Sequence, residues 1–310
     1  MLMPLPLYEQ VIAEAEAALT DGEFGLTHAR LVADGASEDA TWELIHQITE
    51  APRTWGALPA LHARFVARYG ETAPHTFERV LLLRGFKRSL RSLPDLTVAE
   101  SVKRLICDQV QLLIAPPPAV LRRCDLRRNS FVGLCKLATL RRLPAGQLTW
   151  EIGGVPRSWL LKIPLRDLLK VWRHIATRMR GLAPMFVPHL SPVRKDRVVL
   201  LERESNRAYY RMAQSLALQP AVKGLIASSW LHSTDTMVVS PHLTSFSRVI
   251  LENGGVITTI GAADPDCGVF HRSPERKRLY DEGKFKPTTG LVLWARDDML
   301  AWAAAHPELA

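Results

Sequence analysis

Apolar positions along the chain fall into two regimes. Through the first half they recur every three or four residues, the spacing that lays a single stripe along a helix. Tyr8, Val11, Ile12, Ala15 and Leu19 form such a stripe, and Asp21-Gly22 reads as its stop. Ser37 to about Ile48 predicts another helix, with Ser37 as N-cap. Leu58, Leu61, Phe65 and Tyr69 predict a further one ending at Gly70. Thr76 to about Leu93 and Thr97 to Ile114 continue the theme, until Pro116-Pro117-Pro118 breaks it.

After Pro144-Ala-Gly146 the pattern changes. Gln147 to Ile152 alternates like a strand, Gly153-Gly154 reads as a hairpin turn, and Trp159 to Ile163 reads as the partner strand. Leu168, Val171, Trp172, Ile175 and Met179 make an amphipathic helix closed by Gly181, with Lys170, Arg173, His174 and Arg178 on its other face. A Pro-rich stretch from Pro184 to Pro192 leads into the central unit. There Arg197 to Arg203 is a β-branched run, Glu204 to Gln219 a helix and Val222 to Leu231 a second apolar run. Pro241 to Asn253 follows as a helix and Gly254 to Gly261 as a strand. Helix over Pro274 to Tyr280, strand over Thr288 to Trp294 and helix from Asp297 complete the series. The alternation predicts an α/β or α+β fold, with a helical region over 1–145 packed on a mixed sheet in 146–310.

Composition narrows the class. An apolar fraction of 47% with 23% charged residues is that of a globular protein. No apolar run approaches the roughly 18 residues of a membrane span, and Met1 to Leu7 lacks the features of a signal peptide. The four cysteines, Cys107, Cys124, Cys135 and Cys267, show no metal-ligand spacing, so reduced thiols in the cytoplasm are expected. The net charge of +9 is uneven: Arg79 to Arg142 holds 14 Lys/Arg against 4 Asp/Glu, or +10, leaving −1 for the rest. That segment, with Arg122, Arg123, Arg127 and Arg128 at its centre, predicts an anionic partner.

Three polar clusters are candidates for chemistry. Ser228, Ser229 and Trp230, with His242 nearby, lie where a strand gives way to a helix, the end at which open α/β sheets bind ligands. His232 beside Asp235 is a candidate general base, because a carboxylate fixes the imidazole tautomer, and Glu204 is a second candidate. Ser205, Asn206, Arg207 and Arg211 open a helix whose free N–H groups favour an anion, a candidate phosphate site. Asp264, Asp266, Cys267 and His271 do not form a credible metal set, and the segment reads as a loop over the site.

The order Val198 to Arg203, Asn206 to Leu218, Val222 to Ser229, Leu243 to Asn253 and Val256 to Ile260 resembles the core of the GNAT acyltransferase superfamily. The likeness covers about a quarter of the chain and is one of element order. It implies that the first helix holds the pyrophosphate of acyl-CoA and that the thioester lies between two splayed strands. Arg203 to Ala208 contains no glycine where the superfamily has its phosphate loop, and Ile250 stands where it usually has a tyrosine. Relatives that take acyl groups from carrier proteins, or have lost catalysis, fit that departure. The implied function is transfer of an acyl group from a carrier thioester, acyl-CoA or acyl carrier protein, to an amine, with no tightly bound cofactor. The competing expectation is a non-enzymatic binding or regulatory protein whose basic segment holds nucleic acid or an acidic protein.

Overall fold

Helix α5 (Thr76–Leu90) is buried along most of its surface, with Leu81, Leu82 and Leu83 all inaccessible and only Arg79, Lys87 and Arg88 reaching outward. A helix with so little solvent face belongs at the centre of a bundle. A computed structural model describes residues 5–50, 58–116, 121, 124–126, 129–191, 201–264, 268–270 and 273–310 of the chain. The chain divides into two units, Met1–Thr149 with Leu190–Val199, and Trp150–His189 with Leu200–Ala310.

In the first unit α5 is surrounded by α1 (Leu5–Ala18), α2 (Gly22–Ala33), α3 (Glu38–Glu50), α6 (Glu100–Ile114) and α7 (Asn129–Ala138). Helix α4 (Leu58–Tyr69) adds Phe65, whose ring meets Phe77 of α5 at 5.2 Å. The expected cap of α3 is present, Ser37 Oγ accepting from the Ala40 N–H at 3.1 Å. Asp21-Gly22, expected only as a stop, also starts α2: Asp21 Oδ1 accepts from the Gly22 N–H at 2.8 Å. One short polar pair thus ends one helix and caps the next.

The second unit is a sheet with helices on both faces. Its elements are β2 (Leu148–Gly153), α8 (Arg157–Leu160), α9 (Leu165–His174) with a π-helical turn (Ile175–Met179), and β3 (Met185–Leu190). Then come α10 (Glu202–Ala217), β4 (Gly224–Ser229), α11 (Thr234–Val239), α12 (Ser245–Glu252) and β5 (Val256–Ala262). Helix α13 (Pro274–Asp281), β6 (Thr288–Ala295) and α14 (Arg296–Ala304) finish it. With the two-residue β1 (Leu143–Pro144) the strand order is β1-β2-β3-β4-β6-β5. Strands β3 and β4 run parallel, and β6 lies between β4 and β5, antiparallel to both. The fold is mixed α/β, as the alternation predicts.

Strand periodicity sorts the core into two layers. Ile226, Leu291 and Leu293 pack with Val171, Ile175 and Met179 on the α9 face. Trp294 points the other way, edge-on to Tyr209 of α10 at 6.0 Å, and its Nε1–H donates to Asn253 O at 2.8 Å. Tyr209 in turn donates to Phe246 O at 3.0 Å. Both polar atoms of this buried pair are therefore satisfied.

One expected strand is not where the pattern placed it, and another lies largely outside the described residues. Trp159 to Ile163 is helix and turn, since Leu160 and Ile163, three residues apart, are the buried positions of a helical turn. Of the run Val198–Leu201, residues 198–200 lie outside the described residues, Leu201 is the N-cap of α10, and Glu202 and Arg203 are already helical. The neighbour of β4 is instead β3, inside the Pro-rich stretch. Among the described residues no helix is long and apolar enough to cross a membrane.

Candidate functional site

The two parallel strands are joined near their beginnings. The Lys223 N–H donates to Pro184 O at 2.9 Å, and Phe186↔Leu225 is the register pair between β3 and β4. The strands run on to Leu190 and Ser229 with no further register pair among the described residues. Val187 and Ile226 join the core on the α9 face, and alternation puts His189 and Ser228, two residues on, on that same face. His189 Nε2 lies 3.0 Å from Glu151 Oε1 of β2, both side chains partly buried. This imidazole–carboxylate pair is absent from the sequence expectations. Glu151 sits in a predicted strand, but Pro188 and its neighbours disguise β3, and nothing in the sequence sets their register.

A parallel crossover returns the first turn of its helix to the carboxyl edge of the strands it joins. There α10 opens with Leu201 extended, and Glu202 and Glu204 in the first turn. Glu204 Oε1 takes Arg207 Nη1 at 3.1 Å. Buried Ser205 turns its hydroxyl back to Leu201 O at 3.3 Å. Asn206 Oδ1 and Arg207 Nε, by contrast, are buried without a partner. Burial lowers the pKa of the Arg211 guanidinium.

His232 and Asp235 take separate partners, contrary to their expected pairing. Ser229 Oγ accepts from the Leu231 N–H at 3.2 Å and sets a tight turn over Trp230–His232. The turn presses on the sheet so closely that a Cβ on Gly290 would lie 2.1 Å from His232 O. His232 is left 5% exposed, with Nδ1 2.8 Å from Ser247 Oγ. Burial pushes the imidazole down to about 4, so it is neutral at pH 7 and has a hydroxyl as its neighbour. Asp235 is exposed and accepts from Thr288 Oγ1 at 3.0 Å, while Thr288 meets Ser233 Oγ at 2.6 Å. The geometry makes His232 a satisfied core histidine.

The remaining candidates have mixed fates. The half-buried Trp230 stacks under the Arg276 guanidinium at 5.1 Å, and Arg276 also donates to Val269 O at 2.7 Å and Ser240 Oγ at 2.9 Å. His242 is exposed in the turn Pro241–Leu243. Among the described residues no group of His, Cys, Asp and Glu has the arrangement of a metal site. Asp264 is exposed, and Asp266, Cys267 and His271 lie outside the described residues. Cys107 and Cys124 are buried, their thiols pushed up by desolvation to about 11 and about 12, and burial also raises Cys135. None of the three is a ready nucleophile.

Among the described residues of the basic segment, several cations have partners within the helical unit. Arg79 donates to Leu113 O and Ile114 O, both at 2.7 Å, closing the end of α6. Arg84 is 3% exposed and donates to Ala36 O and Thr41 Oγ1. Lys87 pairs with Glu38, Arg88 with Asp39 and Arg141 with Glu50, and Lys103 donates to Pro94 O at 2.9 Å. Arg91 and Arg104 are exposed; Arg122, Arg123, Arg127 and Arg128 lie outside the described residues. Set beside known proteins, the chain matches no family model, no curated protein and no solved structure.

Proposed function

We propose that the sheet unit is a GNAT-like acyltransferase, moving an acyl group from a carrier thioester to an amine at the opening between β3 and β4. The observation that carries this reading is the parallel pair β3 and β4, joined at Phe186↔Leu225 with no further register pair among the described residues toward their carboxyl ends. A thioester arm lying in that opening would meet the edge of β4 that lacks a partner on β3. Backbone N–H groups around Ala227–Ser229 are the donors for the tetrahedral oxyanion.

The attacking amine must first lose a proton. His189 is the base we assign, with Glu151 fixing its ring. The amine nitrogen then bonds to the thioester carbon, and collapse of the oxyanion breaks the carbon–sulfur bond, the thiolate taking up a proton. Ser228, on the same face, positions the acceptor. Arg207, whose Nε–H is without a partner, is the group of α10 left to meet the donor's phosphate. The donor is a CoA thioester or an acyl carrier protein, with no resident cofactor.

The test is thiol release from CoA thioesters and acyl carrier protein, with a panel of primary amines as acceptors. His189→Ala is expected to lower turnover by ~10²–10⁴-fold with an unchanged melting midpoint. His232→Ala is expected to lower the midpoint instead. Failure of every donor to bind in native mass spectrometry, together with no thiol release, would sink the proposal.

A further inference from the structure

The stretch from Arg157 to Arg180 carries seven Lys/Arg and a single acid, Asp167. That acid is engaged, since Oδ2 accepts from Thr258 Oγ1 at 2.8 Å. The inner side of α9 is buried: Val171, with Ile163 before it and Ile175 and Met179 after it, packs on the sheet. Its outer side carries Leu165 and Leu169, one helical turn apart and 88% and 80% exposed, with Trp172 next in the row at 44%; Leu161, at the end of α8, is 89% exposed. Single exposed leucines are ordinary; three so close in the chain at near-complete exposure mark a binding surface.

Beside that row runs a second, Arg166, Lys170 and Arg173, with Lys162 in the turn before the helix, all exposed. Arg166 has only Asp167 near it, at 3.9 Å, and Lys162, Lys170 and Arg173 have no acidic partner among the described residues. Between this row and β5 lies a groove of about 540 Å³, lined by Arg166, Lys170, Arg173, Thr177 and Val256. His174 also lines it, buried, with Nε2 lacking any hydrogen-bond partner. The cationic concavity and the apolar ridge are thus adjacent on one helix.

We propose that α9 docks the protein on an anionic phospholipid bilayer, the leucine row entering the acyl-chain boundary and headgroup phosphates lying in the cationic groove. Leucine and tryptophan on one side of a helix and Lys/Arg on the next is the pattern of an in-plane interfacial helix. The cations are drawn to the surface potential of anionic lipid, and tryptophan favours the headgroup level. A protein partner would need a trough matched to a row of projecting leucines, with acids along one side only. A bilayer requires no such match. This role is independent of acyl transfer.

The experiment is flotation of the full chain with vesicles of phosphatidylcholine alone, or with phosphatidylglycerol added. At least about tenfold more protein is expected on the anionic vesicles, with binding falling as salt rises. Leu165→Ser with Leu169→Ser, and separately Lys170→Glu with Arg173→Glu, should each reduce binding at least about tenfold. Their circular dichroism and melting midpoint should match the parent, because all four side chains are exposed. Arg91→Glu with Arg104→Glu, exposed cations of the helical unit, should leave flotation unchanged. Equal binding to neutral vesicles, persistence in the leucine variant, or equal loss in the Arg91/Arg104 variant would overturn the proposal. So would saturable binding of an acidic helical protein without flotation, which would assign the surface to a protein partner.

Discussion

Residues 79–142 hold 14 Lys/Arg against 4 Asp/Glu, and residues 157–180 hold seven against a single Asp, so by composition the two stretches look alike. What surrounds the charges differs. In the first, Arg79, Arg84 and Lys103 reach backbone carbonyls, and Lys87, Arg88 and Arg141 reach carboxylates on α3. In the second, Lys162, Lys170 and Arg173 face water with no acidic partner among the described residues. Cations that close helix ends and bridge helices act as packing. Cations in a row beside exposed leucines can meet another molecule. A count of charge along a sequence does not separate the two, because the carbonyls and carboxylates that engage a cation come from distant segments.

Mutation can break that contrast, and the largest effect should come from Arg84. Arg84→Ala empties a buried site and orphans Ala36 O, so a loss of about 3 kcal/mol in denaturant unfolding is expected. A change below about 0.5 kcal/mol, the ordinary surface value, would mean that the two cation sets are alike after all.

Close behind is an acid-sensitive term in the sheet unit. His232 titrates near 6.5 when unfolded and about 4 when folded, because burial disfavours its charge. The unfolded chain therefore binds the proton first. Stability is complete above about pH 6.5 and is lost as pH falls toward 4, by about 3 kcal/mol in all. His232→Gln should flatten that limb of the stability–pH curve. An unchanged slope would contradict the buried, neutral imidazole.

A smaller effect is expected at Thr288, whose hydroxyl joins buried Ser233 to exposed Asp235. Thr288→Val should cost about 1–2 kcal/mol by leaving Ser233 Oγ without its partner. Asp235→Asn, at the exposed end, should cost less. Chemical denaturation of the two variants side by side would rank them, and a larger loss at Asp235 would reverse the reading. The smallest change should come from Lys170→Ala with Arg173→Ala, within about 0.5 kcal/mol at each site, measured in the same way.

Much of the architecture was legible from periodicity. The runs that became β4, β5 and β6 carry clear apolar patterns, and α3 announced its start through Ser37. The misses have physical causes. Asp21-Gly22 satisfies the chemistry of a helix stop and of a cap at once, so α2 went unread. Strand β3 contains Pro188, and a proline there reads as connector. With β3 hidden, nothing in the pattern points to His189. The site was less legible still. His232 and Asp235 are close in sequence, but the turn set by Ser229 sends the ring inward to Ser247 and leaves the carboxylate outside. Glu151 and His189 meet across 38 positions, a pairing set by strand register alone.

The position of β6 bears on how the molecule is made. As the chain is synthesised, β4 and β5 emerge well before Thr288, yet they do not touch as neighbours; β6 must enter between them. Until residues 288–295 have left the ribosome, each of those strands keeps an open edge, the kind of surface that invites wrong pairing. Ile257, Thr258 and Thr259 on one side and Ile226, Ala227 and Ser228 on the other wait for the same four-residue stretch of β6, Gly290 to Leu293. Closure of the sheet is therefore a late, non-local and all-or-none event. A nascent chain stalled just short of Thr288 should be a client for chaperones, whereas one stalled some forty residues beyond Ala295, clear of the exit tunnel in an extended fusion, should already resist protease.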